Sequence, residues 1–328
     1  IFALAALIAG LMRLFLLKVS VLISNATGAD LSINVFERTL YQPYSTHISR
    51  SSSEVISGIT QKVNAATNVL ISVVTVITNS FLFLSIMATL IIIDPLIAIL
   101  SMSTFGIAYL ITAVYTSNRL DQNSKTIAEK QTYVVRSLQE SLGAIRDVLL
   151  DGTQKIYKNL YSRSIRRLMK ASGSNRFINQ SPRYAMESLG MILISVFIVT
   201  IFIRDGGIAT ALPIIGVLGL GAQRLLPIMQ QIYGNWSVVI GSKASLIDVI
   251  DLLNQPLPEK KNPKKESSKF SEAIVLEDIG FSYDINSKPI LKNLNIRLNK
   301  GMKIGLVGET GSGKSTFLDI LMGLLTPT

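Results

Sequence analysis

The chain contains 328 residues, of which 48% are hydrophobic and only 16% are charged, and its mean hydropathy is +0.43. Soluble globular domains carry about 25% charged residues, so a large part of this chain is predicted to lie outside water. The absence of cysteine excludes disulfides and thiolate metal sites, and the single histidine, His47, cannot build a metal cluster. The net charge of +11 fits either nucleic-acid binding or basic segments beside membrane helices, and the distribution of Lys and Arg decides between the two.

Uncharged apolar runs predict a multi-span α-helical membrane domain over residues 1–253. A helix crosses the hydrocarbon core with about 20 residues. Residues 63–93 and 96–118 contain no charge over 31 and 23 residues. The pair Asp94 and Pro95 between these runs predicts a turn. The predicted spans are 1–24, 66–93, 96–118, 184–203 and 208–232.

A long basic segment, residues 119–183, separates the third span from the fourth. Glycines interrupt its helical pattern near the middle, which predicts two long helical arms joined by a short element at 141–154. The turns at Asp94 and Arg204 together carry one basic residue, whereas the segments on the opposite side carry more than a dozen. The positive-inside rule therefore predicts that the long arms are cytoplasmic. Topology accounts for the excess charge, and nucleic acid is not predicted as a partner.

The composition changes after the last helix, which predicts a linker and then a soluble domain. Residues 254–271 contain three prolines and five lysines without periodicity, as is typical of a linker. Residues 272–328 are predicted to begin a strand-rich domain. The predicted strands are 273–283, 290–298 and a buried one at 302–307.

Residues 308–316 fit the pattern G-x-x-x-x-G-K-[ST] of a phosphate-binding loop (P-loop). A predicted strand precedes the loop and a predicted helix follows it, which is the context that the motif requires. The backbone N–H groups of such a loop and the helix N-terminus bind phosphate oxygens. Lys314 would contact the outer phosphates of a nucleotide, and the hydroxyl of Ser315 would bind Mg²⁺. The predicted nucleotide-binding residues of the loop are Gly308, Glu309, Thr310, Gly311, Ser312, Gly313, Lys314, Ser315 and Thr316.

Membrane helices with long arms, a linker, two strands and this loop together resemble the ATP-binding cassette (ABC) exporters that fuse a transmembrane domain to a nucleotide-binding domain. The resemblance covers the whole chain. It implies a multi-span helical membrane domain of ABC-exporter type, followed by the N-terminal part of an α/β P-loop domain that binds ATP and Mg²⁺. It also implies that Tyr283 stacks on adenine. The residues that carry it, in family order and spacing, are Phe281, Ser282, Tyr283, Pro289, Ile290, Leu291, Gly301 and the loop 308–316.

The resemblance further implies how the chain works and what it lacks. The elements at 41–55 and 141–154 resemble the two intracellular coupling helices. The family has six spans and further motifs after the loop: a Q-loop, a signature, a Walker B aspartate, a catalytic glutamate and a switch histidine. We therefore expect a piece of a longer half-transporter, cut at both ends and without catalytic residues of its own. The full-length protein is expected to be a homodimeric ATPase in the inner (plasma) membrane, with cytoplasmic nucleotide domains.

A finer resemblance bears on the substrate. Residues 180–184 with Glu187, and the stretch 41–53, resemble lipid-linked oligosaccharide flippases. This predicts export or flipping of a lipid-like or lipid-linked molecule. Export of peptides or drugs, import, and a membrane-anchored P-loop kinase or GTPase stay open as alternatives. A kinase or GTPase would not explain five spans or an adenine-stacking Tyr283.

Three charged residues are predicted at membrane depth: Arg183, Glu187 and Arg224. Counted from the outer turn at 1.5 Å per residue, Glu187 and Arg224 lie roughly 25 Å deep, towards the cytoplasmic leaflet. Charges at such depth face a cavity or a partner. One interpretation is a structural bridge between Glu187 and Arg224, and the other is a basic patch that binds an anionic lipid headgroup. Tyr233 and Trp236 are predicted at the membrane interface, where aromatic residues are enriched.

Overall fold

A computed structural model of the chain describes residues 2–93, 95–205, 208–257, 270–283 and 289–327. Most of the described chain is helical, and a π-helical segment, Gly58–Lys62, lies between the third and fourth helices. The helices are α1 (Phe2–Leu40), α2 (Tyr44–Ser49), α3 (Ser52–Ser57), α4 (Val63–Ile93), α5 (Pro95–Gly143), α6 (Ile145–Leu150), α7 (Gln154–Asp205), α8 (Ile208–Gly241), α9 (Lys243–Leu253) and α10 (Lys314–Leu321). The strands are β1 (Ala273–Phe281) and β2 (Leu291–Asn299).

The chain divides into two compact units. The helical unit consists of Ile1–Phe36 and Ser53–Asn254. The P-loop unit consists of Gln255–Thr328 together with Glu37–Ser52, a segment that includes the short helix α2. A segment that precedes most of the membrane helices in sequence therefore shares a unit with the phosphate-binding loop.

Among the described residues, two helical segments are long and apolar enough to cross a membrane by length and composition. They are Leu7–Leu40 and Ser52–Ile92, which contain 18-residue stretches with mean hydropathies of 2.0 and 2.2. The other three predicted spans fall within α5, α7 and α8, and their crossing of a membrane stays a prediction. Asp94 and residues 206–207 of the predicted turns lie outside the described residues, as do residues 258–269 of the predicted linker.

The two predicted helical arms and the short element between them are confirmed. The first arm continues α5 as far as Gly143, and the second begins α7 at Gln154. Between them, α6 is a single short helix whose N-cap residue, Ala144, leaves the helical conformation at φ −107° and ψ 33°. The glycine interruptions in an otherwise helical pattern therefore located this corner correctly.

The core of the helical unit is formed where α1, α4 and α9 meet. The residues Val35, Val63, Ala66, Val249 and Leu252 are all less than 5% exposed and form one cluster. Burial of such side chains contributes about 25 cal/mol for each Å² of apolar surface removed from water. This cluster fixes α9, the last helix before the linker, against the beginning of α4.

Polar side chains connect the long arms. Asn123 of α5 donates a hydrogen bond from Nδ2 to Oδ1 of Asn175 on α7, at 2.8 Å. Asn179, one turn further along α7, donates from Nδ2 to the carbonyl oxygen of Gly234 at 2.7 Å and to Oγ of Ser237 at 3.0 Å. These bonds join partly buried amides at fixed positions, so they set the register between α7 and its two neighbours.

An ion pair between a buried lysine and a partly exposed aspartate holds the π-helical segment. Nζ of Lys62 lies 2.6 Å from Oδ2 of Asp248 on α9, and the Lys62 side chain is only 6% exposed. Just before this segment, Oγ of Ser57 lies 3.0 Å from Oγ1 of Thr132 on α5. We call the stretch Ser57–Lys62 with these contacts the elbow, since it carries the chain from α3 into α4.

The P-loop unit is built on two antiparallel strands. Ala273 pairs with Asn299 at one end of the ladder and Phe281 with Leu291 at the other, and the register shifts between Leu276 and Ile279. The strands confirm the predictions for 273–283 and 290–298. The apolar faces of the strands and of α10 form a core of Phe281, Leu291, Phe317, Ile320 and Leu325.

The prediction of a buried strand at 302–307 is wrong for the described chain. Residues 302–309 adopt neither helix nor strand, and Val307 is 98% exposed. A strand requires hydrogen-bonded neighbours, and among the described residues β1 and β2 pair only with each other. The apolar sequence Met302–Val307 therefore has no neighbouring strand that could bury it.

Candidate nucleotide-binding site

The phosphate-binding loop takes its shape from glycines. Gly311 and Gly313 have φ values of +88° and +87°, a region that residues with a side chain rarely adopt. At Gly313 a Cβ atom would also lie 2.9 Å from Cγ2 of Ile290. Gly313 is the N-cap of α10, so the free N–H groups of the first helical turn follow it directly. The loop therefore ends on a helix N-terminus, where anions bind.

Lys314 folds back over the loop. Its Nζ donates hydrogen bonds to the carbonyl oxygens of Gly308 at 2.7 Å and Glu309 at 2.6 Å, and lies 3.3 Å from Oγ of Ser312. A cation in this position can exchange carbonyl oxygens for phosphate oxygens by a small movement of a flexible side chain. The predicted role of Lys314 towards phosphate is therefore geometrically possible, and it stays a prediction.

The two hydroxyl residues that follow Lys314 have different surroundings. The side chain of Ser315 is exposed in the first turn of α10, where its hydroxyl is accessible to a metal ion. Thr316 is only 6% exposed, and its Oγ1 lies 3.2 Å from the hydroxyl oxygen of Tyr283. The Ser315 hydroxyl is an oxygen ligand of the kind that Mg²⁺ binds, whereas the Thr316 hydroxyl is bonded to Tyr283.

Tyr283 stands beside the loop. Its ring packs edge-on against Phe281, with centroids 5.0 Å apart and an interplanar angle of 86°. The residue is 45% exposed, so part of the ring is accessible. The bond to Thr316 and the contact with Phe281 fix the ring between the end of β1 and α10. Its predicted stacking on adenine stays a prediction.

The short helix α2 contributes to the same unit. The side chain of Tyr44, the first residue of α2, packs against the core that contains Phe281 and Phe317. Arg38, just before α2, donates from Nη1 to the carbonyl oxygen of Gln255 at 2.9 Å. The predicted coupling element at 41–55 therefore contains a helix that is packed against the core below the phosphate-binding loop.

At the predicted membrane depth, the charges pair along one helix. Nε of Arg183 lies 2.8 Å from Oε1 of Glu187, one turn away on α7, and the two side chains are 62% and 46% exposed. The side chain of Arg224 lies outside the described residues, so the predicted bridge between Glu187 and Arg224 is not tested. Glu187 does have a cationic partner, and that partner is Arg183.

Comparisons with known protein families identify the family of this chain. Residues 1–211 match the family described as the ABC transporter transmembrane region, and residues 291–328 match the family described as ABC transporter. The chain belongs to the ABC transporter family. Its fold agrees, since a solved bacterial Atm1-family ABC exporter with ATP bound superimposes with a TM-score of 0.71. That structure shares 16% sequence identity and covers 93% of this chain.

Curated ABC transporters resemble the chain over most of its length. An ATP-dependent lipid A-core flippase from Cupriavidus pinatubonensis is 25% identical over 314 residues, which is 94% of this chain and 52% of the relative. A lacticin-481/lactococcin-DR transport/processing ATP-binding protein from Lactococcus lactis is 26% identical over 242 residues, 72% of this chain and 32% of the relative. The chain spans about half the length of the lipid A-core flippase and of the solved exporter.

Sequence reasoning missed two features of this ABC transporter chain. The pair of Lys62 and Asp248 joins residues that are 186 positions apart, and no local pattern connects them. Tyr233 and Trp236 do not simply line an interface: Tyr233 is 5% exposed and packs with Tyr109, at a centroid distance of 5.6 Å. The aromatic residues at helical spacing, Phe105 and Tyr109 in α5 and Tyr233 and Trp236 in α8, were a signal for this contact, because residues three or four apart lie on one face of a helix.

Proposed function

We propose that this chain is the membrane and P-loop part of a dimeric ABC exporter that uses ATP to move lipid-like or lipid-linked molecules across the inner (plasma) membrane. The observation that carries the proposal is that α2 packs, through Tyr44, against the core that contains Phe281 and Phe317, and that Phe317 lies on α10, the helix that begins in the phosphate-binding loop. Movement of the loop on nucleotide binding would act on that core. A helix packed against it would move as a rigid body and transmit the movement to the membrane helices.

The nucleotide step follows from the loop geometry. The phosphates of ATP would accept hydrogen bonds from the N–H groups at the start of α10, and Lys314 would leave the carbonyl oxygens of Gly308 and Glu309 to bind them. Ser315 would hold Mg²⁺, which neutralises phosphate charge when it is bound. The exposed part of the Tyr283 ring would stack on adenine. These residues bind and orient the nucleotide, and residues that activate water are not assigned in this chain.

The second subunit of the proposed dimer has a place on α6. This helix buries Val148, but Ile145, Leu149 and Leu150 are 47%, 61% and 73% exposed. Apolar side chains exposed together mark an interaction surface. We propose that α6 docks on the nucleotide domain of an identical second subunit, as α2 does within its own chain. Each nucleotide domain would then receive one short helix from each subunit.

The substrate class rests on relatives and on charge. Lipid A-core flippases match 94% and 88% of the chain, which favours an amphiphilic, anionic lipid. Arg183, held by Glu187, and Arg224 would form the basic patch that receives its headgroup. Export of a peptide is the second candidate, because the lacticin-481 relative and a subtilin transport ATP-binding protein from Bacillus subtilis match 72% and 55% of the chain.

The test measures ATP hydrolysis by the full-length protein in proteoliposomes with added anionic lipid or added cationic peptide. Stimulation by the lipid alone supports lipid export, and stimulation by the peptide alone replaces it with the second candidate. We expect Arg224→Ala to keep basal hydrolysis and to lose the stimulation, whereas the exposed arm residue Arg176→Ala keeps both. An Arg224→Ala protein that fails to fold, and that Glu187→Ala rescues, would show a structural pair instead of a headgroup site.

A further inference from the structure

A cavity of about 400 Å³ lies within the helical unit, between α4, α5 and α8. Phe83 of α4, Met102 of α5, and Tyr233 and Trp236 of α8 contribute to its wall. Ligand sites of proteins occupy about 300–1,000 Å³ and are mostly apolar with a few polar groups. In the described part of the chain, no charged side chain lines this cavity. The space is therefore suited to an uncharged, largely aliphatic group.

One polar group of the wall has no partner. Tyr109 of α5 is 8% exposed, and its hydroxyl oxygen is buried without a hydrogen bond to any described residue. An unpaired buried hydroxyl is costly, and in native proteins each such group calls for an explanation. The wall residue Tyr109 thus offers a hydrogen-bond donor that the described protein leaves unused.

The surrounding side chains do not satisfy this donor. The nearest aromatic neighbour, Tyr233, uses its own hydroxyl elsewhere: its oxygen lies 3.2 Å from Oγ1 of Thr116 and donates to the carbonyl oxygen of Ile178 at 3.3 Å. The other described wall residues are apolar apart from Trp236, whose indole only donates. The described wall thus offers Tyr109 no free acceptor, and a bound group that carries one would satisfy it.

We propose that this cavity binds an acyl lipid, with an aliphatic chain in the apolar space and an ester carbonyl oxygen that accepts a hydrogen bond from Tyr109. A charged phosphate is disfavoured inside the cavity, because no cation in its described wall would compensate for the lost hydration. The inference goes beyond the export proposed above. It assigns a lipid site within a single chain and does not require that the bound lipid is the transported molecule.

The chain provides its own probe of occupancy. Trp236 is the single tryptophan of the sequence and lines the cavity. Full-length protein in detergent, without nucleotide, is titrated with the methyl ester of a brominated fatty acid, since bromine quenches nearby tryptophan fluorescence. Subtracting the signal of a Trp236→Phe variant isolates the response of this residue. A brominated alkane of the same length, which lacks the carbonyl, is the matched ligand.

We expect half-maximal quenching by the ester at roughly 3- to 10-fold lower concentration than by the alkane, which corresponds to one additional hydrogen bond. Tyr109→Phe keeps the ring and removes the donor, so the ester should lose its advantage over the alkane. Gly106 lines the cavity, and a Cβ atom there would meet nothing within 4 Å, so Gly106→Leu should fill the space and abolish quenching by both ligands. Gly10 of α1 also has nothing within 4 Å and is not a wall residue, so Gly10→Leu should change neither.

Equal quenching by ester and alkane in the unsubstituted protein would overturn the proposal, and so would an ester advantage that survives Tyr109→Phe. Quenching that persists in Gly106→Leu would place the ligand elsewhere. Should Gly106→Leu elute as aggregate, the comparison of ester with alkane in Tyr109→Phe decides alone. Because no step uses ATP, a negative result here is distinguishable from failure of the proposed export.

Discussion

Two short helices of this chain, α2 and α6, differ in what their apolar side chains contact. α2, with the sequence Tyr-Ser-Thr-His-Ile-Ser, packs Tyr44 against the core of the P-loop unit and leaves Ile48 45% exposed. α6, with the sequence Ile-Arg-Asp-Val-Leu-Leu, is the more apolar of the two; it buries Val148 and leaves Leu149 and Leu150 61% and 73% exposed. Composition alone does not show which of these side chains has a partner.

This difference indicates that burial of a short helix depends on which subunit provides the surface against which it packs. The P-loop unit of the same chain partly buries Tyr44 of α2, whereas the described part of the chain leaves three apolar side chains of α6 exposed. An apolar surface of this kind is typical of a protein interface. In the proposed exporter, α2 is an internal contact and α6 a contact between subunits. Five predictions test this distinction.

The largest effect is expected at Lys314, in the loop where the nucleotide would bind and from which it would act on both helices. Lys314→Ala in the full-length protein removes the cation that lies over Gly308 and Glu309, so we expect ATP hydrolysis to fall by about 10²–10³-fold, the range for losing one charge-stabilising donor. Transport should fall in parallel, and the membrane helices should stay folded. Lys303→Ala, an exposed lysine just before the loop, is the control. Unchanged ATP turnover in Lys314→Ala would contradict the assignment of this loop as the nucleotide site that acts on the two helices.

The next prediction separates the internal contact from the intersubunit one. Tyr44→Ala leaves a gap beside Phe281 and Phe317, and for a half-buried aromatic we expect about 2–3 kcal/mol less stability of the P-loop unit. Leu149→Ala should leave the unfolding of the monomer unchanged and should reduce the fraction of dimer in light scattering. Thermal unfolding and mass measurements on the same samples give both readouts. If Leu149→Ala destabilised the monomer, α6 would have an internal partner.

Cysteine pairs test the same distinction without loss of packing. The chain contains no cysteine, so each cross-link needs two introduced cysteines: one at Ser52, after α2, or at Ala144, before α6, and a second in the nucleotide domain. We expect the first to cross-link to a cysteine in the nucleotide domain of its own chain and the second to one in the partner subunit. Either cross-link should arrest ATP-driven transport until a reductant is added. A cross-link from Ala144 within one chain would contradict the assignment.

The fourth prediction concerns a segment beside each helix. Lys62→Met at the elbow, which follows α2, breaks a pair in which the lysine is 6% exposed, and should cost about 2 kcal/mol, since Asp248 at 39% exposure can recover some hydration. Arg136 pairs with Glu140 on the arm that leads to α6, with both side chains about half exposed. The carboxylate raises the pKa of Arg136, but water screens this pair, so Arg136→Met should leave unfolding unchanged. Equal losses of stability in Lys62→Met and Arg136→Met would show that burial does not distinguish the two ion pairs.

The smallest effect is expected at Tyr283, beside the loop that α2 supports. Tyr283→Ala should weaken ATP binding by about 1–2 kcal/mol, the lower part of the range for base stacking on an aromatic ring that stays partly exposed. Tyr283→Phe keeps the ring and loses only the bond to Thr316, so its nucleotide affinity should be nearly unchanged. Isothermal titration of the full-length protein measures both. A silent Tyr283→Ala would make this residue a structural one.

Sequence alone predicted those parts of the molecule that depend on neighbouring residues. The loop 308–316 carries its own geometry, because Gly311 and Gly313 need positive φ and Lys314 starts a helix. The strands at 273–283 and 290–298 follow from alternation, and the corner near Gly143 follows from an interrupted helical pattern. These are local signals, and family resemblance to ABC exporters extended them to the whole chain.

Features that depend on distant residues could not be predicted in the same way. The pair of Lys62 and Asp248 and the contact of Tyr109 with Tyr233 exist only because α4, α5, α8 and α9 pack together. Residues 302–307 show the opposite case, since an apolar run predicted a buried strand and the described chain supplies no neighbouring strand to cover it. In each case the missing information is the identity of the partner.

The π-helical segment Gly58–Lys62 affects how a deletion would change the directions in which the side chains of the following helix, α4, point. A π turn contains one residue more than an α turn, and each residue of an α-helix advances the side chains by about 100°. Because the π turn accommodates its additional residue within about one turn, deleting one residue there would restore regular α-helical bonding and leave the 31 residues of α4 nearly in phase with the chain before it. Deleting one residue from the regular part of α4, before Phe83, would instead rotate the rest of the helix by about 100°, and Phe83 would leave the cavity wall. Single-residue deletions within α4 should therefore be tolerated far less well than a single-residue deletion in the π-helical segment.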